Sequence, residues 1–209
     1  MTPKLAQWVC LLVAWASAAT APAAEPRLAA HYTFDQGAGA VLKDLGPGAH
    51  NGKIRNAEWV KSARGHGLAM QRTGSCVDCG VELGRKLTAD MTVLAWVKLG
   101  ADPFPDGTTN WTIVDCEDYT RSGFIVRVDG QTAKLYYRAS SAGRMPGSFS
   151  RATLKNGTYH HVAVTRRGNR VSLLIDGRPD TSFAAGPPAS PSKPLTISSP
   201  GQSFQGVID

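Results

Sequence analysis

From residue 26 onward, apolar residues fall in short runs: 28–34, 77–81, 91–99, 111–114, 124–128, 133–137, 195–198 and 204–208. Gly, Pro, Asn, Asp or Ser separates nearly all of them. No run repeats at the three-to-four residue spacing of an amphipathic helix. Many short strands punctuated by turn formers predict an all-β sandwich or barrel. The clearest element spans 157–177. Its left arm, Tyr159-His160-His161-Val162-Ala163-Val164-Thr165, and its right arm, Arg170-Val171-Ser172-Leu173-Leu174-Ile175, flank Arg167-Gly168-Asn169. Gly and Asn tolerate the positive φ of a hairpin loop, and Asp176-Gly177 signals a second turn. Alternation along 159–165 sends His160 and His161 to opposite faces, so they cannot share a metal.

The first 24 residues read as a signal peptide. Lys4 precedes a largely apolar stretch, and Ala21-Pro22-Ala23 carries the small-x-small pattern of a cleavage site. The stretch is too short and Ala-rich for a membrane span, which needs roughly 20 apolar residues. An extracytoplasmic protein is therefore expected, secreted, periplasmic or on the cell surface, with no membrane span after cleavage. Residues 25–209 suffice for one domain. The Pro/Ser/Ala-rich segment 184–194 is read as a long loop between strands. The net charge is +7, but the basic residues are scattered, and Arg166, Arg167 and Arg170 beside one hairpin turn form the sole cluster. That scatter argues against a nucleic-acid partner. Weak attraction to acidic glycans is what charge alone supports.

Five further stretches, with that hairpin, form an ordered series. Ala29-Ala30-His31-Tyr32-Thr33-Phe34-Asp35-Gln36-Gly37 resembles an opening "ayWsFDeg" strand. Residues 43–52 resemble a "D-x-S-G-n-g-h-x-G" turn, and Gly65-His66-Gly67-Leu68-Ala69-Met70 a "G-x-A-l-x-F" strand. Met91-Thr92-Val93-Leu94-Ala95-Trp96-Val97-Lys98 and Phe204-Gln205-Gly206-Val207-Ile208-Asp209 complete the set. In this order the motifs resemble the LamG-like jelly-roll family, related to laminin G domains and concanavalin A-like lectins. The resemblance implies an antiparallel two-sheet jelly-roll sandwich. It also implies another strand after Ile208-Asp209, so the domain over 25–209 is expected to lack its last strand.

The resemblance further implies a non-catalytic binding module for carbohydrate or for cell-surface and matrix ligands, a glycan or extracellular protein being the partner. Such binding asks for exposed aromatics on one concave face, for which Trp111, Tyr119, Tyr136 and Tyr137 are the candidates. Trp96 is read as core. Glycosidases on a similar sandwich alternate carboxylates along a strand, so Asp115 and Glu117 are the candidates for a hydrolase reading. A structural or adhesive protein-interaction module is the third. Structural Ca²⁺ is implied at Asp35, Gly52 and Asp209, where it would tie the first strand to the last. Cys76, Cys79 and Cys116 remain after signal cleavage. Export permits a disulfide, so Cys116 is expected to pair with Cys76 or Cys79.

Overall fold

The computed structural model describes residues 28–100 and 109–209. The signal-peptide reading lies outside the described residues. The strands are β1 (Val41–Leu42), β2 (Gly52–Arg55), β3 (Glu58–Ser62), β4 (Gly65–Ala69) and β5 (Cys76–Asp78). After helix α1 (Val81–Lys86) come β6 (Met91–Leu99), β7 (Asn110–Asp115), β8 (Phe124–Asp129), β9 (Lys134–Ala139) and β10 (Gly147–Thr153). The remainder are β11 (Tyr159–Arg167), β12 (Arg170–Ile175), β13 (Arg178–Ala184), β14 (Thr196–Ile197) and β15 (Gly206–Ile208). They form two antiparallel sheets, one ordered β1-β2-β5-β14-β7-β8-β9-β10 and the other β13-β12-β11-β6-β15-β4-β3. This is the all-β jelly-roll sandwich that the motifs imply.

The predicted hairpin is β11–β12, closed by a two-residue loop between paired Arg167 and Arg170, with Gly168 at φ 55°. The next loop joins Ile175 to Arg178, with Asp176 at φ 52° and Gly177 at φ 75°. Two successive positive φ values twist in the sense that strands favour, which is why Asp-Gly stands there. His160 closes the sandwich beside this turn. Its Nδ1 lies 2.8 Å from Asp176 Oδ2, and its Nε2 accepts the Lys155 N–H at 2.9 Å. With Nε2 accepting from Lys155 and Nδ1 facing Asp176, both ring nitrogens are committed within the scaffold.

One helix stands where the sequence shows no periodicity. Six residues span under two turns, too few for a 3.6-residue pattern to register. Glu82 lies in its first turn and Arg85 and Lys86 in its last, matching the helix dipole. Gly84 packs closely on the long loop and on β7's end: a Cβ there would stand 3.2 Å from Pro191 and 3.3 Å from Cys116. Beyond its C-terminus, Arg166 reaches inward from β11. It is 3% exposed, and its Nη2 donates to the carbonyls of Leu87 and Ala89.

Residues 185–195 do link β13 to β14, yet the segment is pinned. Pro188 and Pro191 are buried, Gly123 N–H donates to the Ala189 carbonyl, and Ala189 N–H donates to the Ser140 carbonyl. β15 lies between β4 and β6 and is paired on both sides, so this strand leaves no open edge.

Asp44 anchors the first strand-like segment. Its Oδ1 accepts the N–H groups of His31 and Gly46, and its Oδ2 that of His50, all at 2.7 Å. Burial pushes this carboxyl up, but the three donors outweigh burial and hold it below its ordinary value. Asp176 is likewise opposed by burial, then brought below its ordinary value by His160 and the His161 N–H.

The expected disulfide does not form; Cys76, Cys79 and Cys116 are buried free thiols. The ladder explains why. Thr196 of β14 pairs with Asp78 on one side and Asp115 on the other, so an intervening strand separates Cys79 from Cys116. Two strand spacings are about 10 Å, beyond the roughly 7 Å limit for a disulfide's Cα atoms. Cys76 lies further along β5 still. Burial pushes Cys79 to about 11 and Cys116 to about 12.

Native protein should resist thiol-directed alkylation, and unreduced denatured protein should take up a label at each of the three cysteines; label uptake at one alone would restore the disulfide. Asp44→Ala should lower unfolding stability by about 3 kcal/mol, since three donors lose their acceptor. The depressed folded-state values of Asp44 and Asp176 give stability that is fully present above the ordinary carboxylate value near 4 and is lost as pH falls from there through the depressed folded-state values. Asp44→Asn should therefore flatten the acid limb of a denaturation series; an unchanged limb would contradict this.

Candidate binding face

Period-two alternation divides the eight-stranded sheet into two faces. Val126, Val128, Leu135, Tyr137 and Ala139 turn inward and join the core. Their neighbours turn outward, and register aligns them into rows. Thr112 pairs with Arg127, Arg127 with Tyr136, and Tyr136 with Phe149, giving one row across β7, β8, β9 and β10. Asp115, Ile125, Arg138 and Gly147 form the adjacent row.

The first row is an aromatic and cationic platform. Arg127 lies over Tyr136 with its guanidinium carbon 4.6 Å from the ring centroid. Tyr136 meets Phe149 at 4.4 Å between centroids, with the planes tilted by 39°. Phe149 is 42% exposed. Gly147 beside them keeps Tyr136 in place, since a Cβ would stand 2.7 Å from the Tyr136 hydroxyl. Tyr119 follows β7 at φ 43° and is 65% exposed, with Arg138 5.9 Å from its ring centroid.

Glu117 is the electrostatic anchor of the second row. Arg138 Nε donates to its Oε1 at 2.8 Å, Arg138 Nη2 donates to its Oε2, and Ser140 Oγ donates to Oε1 at 2.5 Å. This is a bidentate fork on a nearly buried carboxylate, which fixes Arg138 flat against the sheet. The same contact raises the Arg138 guanidinium above its ordinary value. Asp115 is placed differently. Its Oδ1 accepts the Glu117 N–H at 2.7 Å, an Asx turn that ends the strand. Burial pushes its carboxyl up, against the backbone donor and Ser199.

The predicted residues therefore separate. Tyr119 and Tyr136 reach the outward face, as a ligand would require. Trp111 is 4% exposed and Tyr137 fully buried, so neither offers a ring to a ligand. Trp111 lies opposite core Val128, and Tyr137 packs on Phe124 at 6.1 Å between centroids. Burial pushes the Tyr137 phenol to about 12. Trp96 departs from its core reading as well. Val93, Ala95 and Val97 face inward, while Trp96 lies half-buried on the outer side under Arg64, whose guanidinium carbon stands 4.6 Å from the ring. Asp115 and Glu117 do not alternate on one strand, because the Asx turn intervenes, and both Glu117 oxygens are taken up by Arg138 and Ser140.

The calcium residues divide between the two sheets. Asp209 Oδ2 accepts from Ser62 Oγ at 2.5 Å, and Asp35 lies against Gly65, where a Cβ would meet its Oδ1 at 2.9 Å. Both thus stand at the β3–β4 hairpin. Gly52 belongs to the opposite sheet and faces Val77 and Cys79. Among the described residues, no three His, Cys, Asp or Glu side chains are grouped to hold a metal.

Sequence reasoning missed Arg127, Arg138 and Phe149. Lys134-x-Tyr136-x-Arg138 against Leu135-x-Tyr137-x-Ala139 does mark one outward and one inward set, and Arg127 and Asp129 alternate with Val126 and Val128 in the same way. Phe149 lies among Ser148, Ser150 and Arg151, where no alternation stands out.

The sequence profile of Laminin_G_3, described as the concanavalin A-like lectin/glucanases superfamily, matches residues 76–209. The chain belongs to this family. No curated protein matches this Laminin_G_3 chain by sequence. Among solved structures it is similar to domain 4 of AbnA, a GH43 extracellular arabinanase from Geobacillus stearothermophilus, in complex with arabinotriose. That match has a TM-score of 0.63 and 18% identity, over 88% of this chain and 89% of the other. Trypanosoma rangeli sialidase, in complex with the inhibitor DANA, matches at a TM-score of 0.57 and 18% identity, over 82% of this chain but 28% of the sialidase. The CBM40 module of Ruminococcus gnavus IT-sialidase, bound to α2,3 sialyllactose, matches at 0.51 and 9% identity, over 68% and 83%. At these identities the likeness to solved structures shows the shared fold alone.

The Glu117 fork gives a direct check. Glu117→Gln should loosen Arg138 and cost about 2 kcal/mol of stability, read by chemical denaturation. A variant as stable as the parent would show the pair to be incidental.

Proposed function

We propose that this chain is an exported glycan-binding module and that its ligand lies across the outward face of β7–β10. The observation that carries the reading is the row Arg127–Tyr136–Phe149, a half-exposed aromatic pair extended by a guanidinium on a rigid sheet. A sugar ring presents axial C–H groups to an aromatic face while its hydroxyls bond to charged neighbours at the rim. Tyr119 and Arg138 extend the surface by one further ring. β8 and β9, each paired on both sides, supply the rigidity that lowers the ordering cost of binding.

The solved carbohydrate-binding modules on this fold support the class of ligand, and the extracellular setting of the arabinanase supports export. Among the described residues no helix is long and apolar enough to cross a membrane. The hydrolase alternative is disfavoured by the committed Glu117 carboxylate, whose oxygens are occupied by Arg138 and Ser140.

Tyr136→Ala and Phe149→Ala should each weaken retention on a binding polysaccharide by about tenfold or more, measured by affinity electrophoresis across a panel of neutral and acidic polysaccharides. Circular dichroism should be unchanged, since both rings lie outside the core. Full retention by both folded variants would sink the proposed face.

A further inference from the structure

The two arginines of the platform differ in one respect. Arg138 is neutralised by Glu117 through the bidentate contact. Arg127 has no carboxylate within ion-pair distance among the described residues, and its buried Nε has no hydrogen-bond partner. What it does touch is the face of Tyr136. Its neighbour in the row, Thr112, is fully buried and also carries an unpartnered hydroxyl oxygen. The sheet thus holds a cation with no direct ion pair among the described residues, half-buried and partly stripped of water, at the inner end of the aromatic row. Burial lowers the Arg127 value from its ordinary one, and the more distant charges of Asp129 and Glu117 offset this only in part.

Charges facing Arg127 do not remove this imbalance. Asp129, two residues along β8, directs its Oδ1 to the Thr132 N–H and hydroxyl at 2.8 and 2.7 Å. Glu117 is committed to Arg138, and Asp115 lies in the next row, closed by its own Asx turn. A neutral sugar would complete hydrogen bonds here but leave the charge unmatched. An anionic group would satisfy both.

We infer that the platform selects an anionic glycan, with a sugar carboxylate or sulfate on the Arg127 guanidinium and the adjoining ring stacked on Tyr136 and Phe149. This rests on the binding face proposed above and adds the charge of its ligand. Arg127 is the specificity-determining residue, and the aromatic pair supplies contact that is indifferent to charge.

The test uses the mature chain and four polymers: polygalacturonate and its fully methyl-esterified form, and dextran sulfate and dextran. Binding is measured by calorimetry at one physiological ionic strength. At least one charged polymer should bind about tenfold tighter than its neutral counterpart. Arg127→Gln should abolish that preference, whereas Arg178→Gln, the same charge change at an exposed position of the other sheet, should preserve it. Tyr136→Ala should weaken charged and neutral polymers alike. Equal erosion by both arginine variants would reduce the preference to net charge and overturn the inference. Equal affinity for charged and neutral polymers would overturn it while leaving the glycan-binding face intact. Failure of all four polymers to bind would remove both.

Discussion

The register of β8 against β9 decides what the outward face can offer. Val126 opposite Tyr137 buries one set of side chains, and Arg127 opposite Tyr136 exposes the other. A slip of one residue would bring a guanidinium into the core and place a core phenol ring in solvent. The inward set fixes this choice energetically, because Phe124, Val126, Val128, Leu135 and Tyr137 are all essentially removed from water. At about 25 cal/mol per Å² of apolar surface, the buried face outweighs any contact made on the outer one. The binding platform is thus a by-product of core packing, and it inherits the rigidity of the core.

Polar contacts then lock positions that packing leaves loose. The Glu117–Arg138 fork ties the loop after β7 to β9, and Ser140 completes it from the end of β9. Asp180 binds the sheet edges together by accepting the N–H groups of Arg151 and Ala152 at 2.6 and 2.9 Å. Because these two residues belong to β10 and Asp180 to β13, the outer strand that carries Phe149 is held to the opposite sheet. His160 and Asp176 do the equivalent work at the β12–β13 turn. The paired histidines of β11 therefore serve the scaffold, one within the sandwich and the other against Trp96 at 5.1 Å between ring centroids.

Much of the fold was legible because it depends on local chemistry. Gly168 and Asp176-Gly177 mark turns through the φ values they allow, and alternation along 91–98 puts Val93, Ala95 and Val97 on one side of their strand. Which group faces the core was not legible for Trp96, since an aromatic residue suits either side of a half-covered strand. The site was read less well for the same reason. Tyr136 and Tyr137 must point oppositely, so only one of the two can meet a ligand on a given face, and the polar flanks of Tyr136 mark it as the outward one. Trp111 is isolated at the start of β7, where a bulge shifts the register before Val114. The Glu117–Arg138 pair joins residues 21 apart, a closure that only the sheet order creates. The disulfide expectation failed through the insertion of β14 between β5 and β7, a strand that follows them both in sequence by some eighty residues or more.

The central claim is that the ligand lies on the outward face of β7–β10, and amide chemical-shift mapping during titration with a bound oligosaccharide tests it most directly. Perturbations should concentrate at Arg127, Tyr136, Arg138 and Phe149 and fade toward β3 and β4. A response centred instead on Leu94, Trp96 and His161, on the outer side of the seven-stranded sheet, would contradict it.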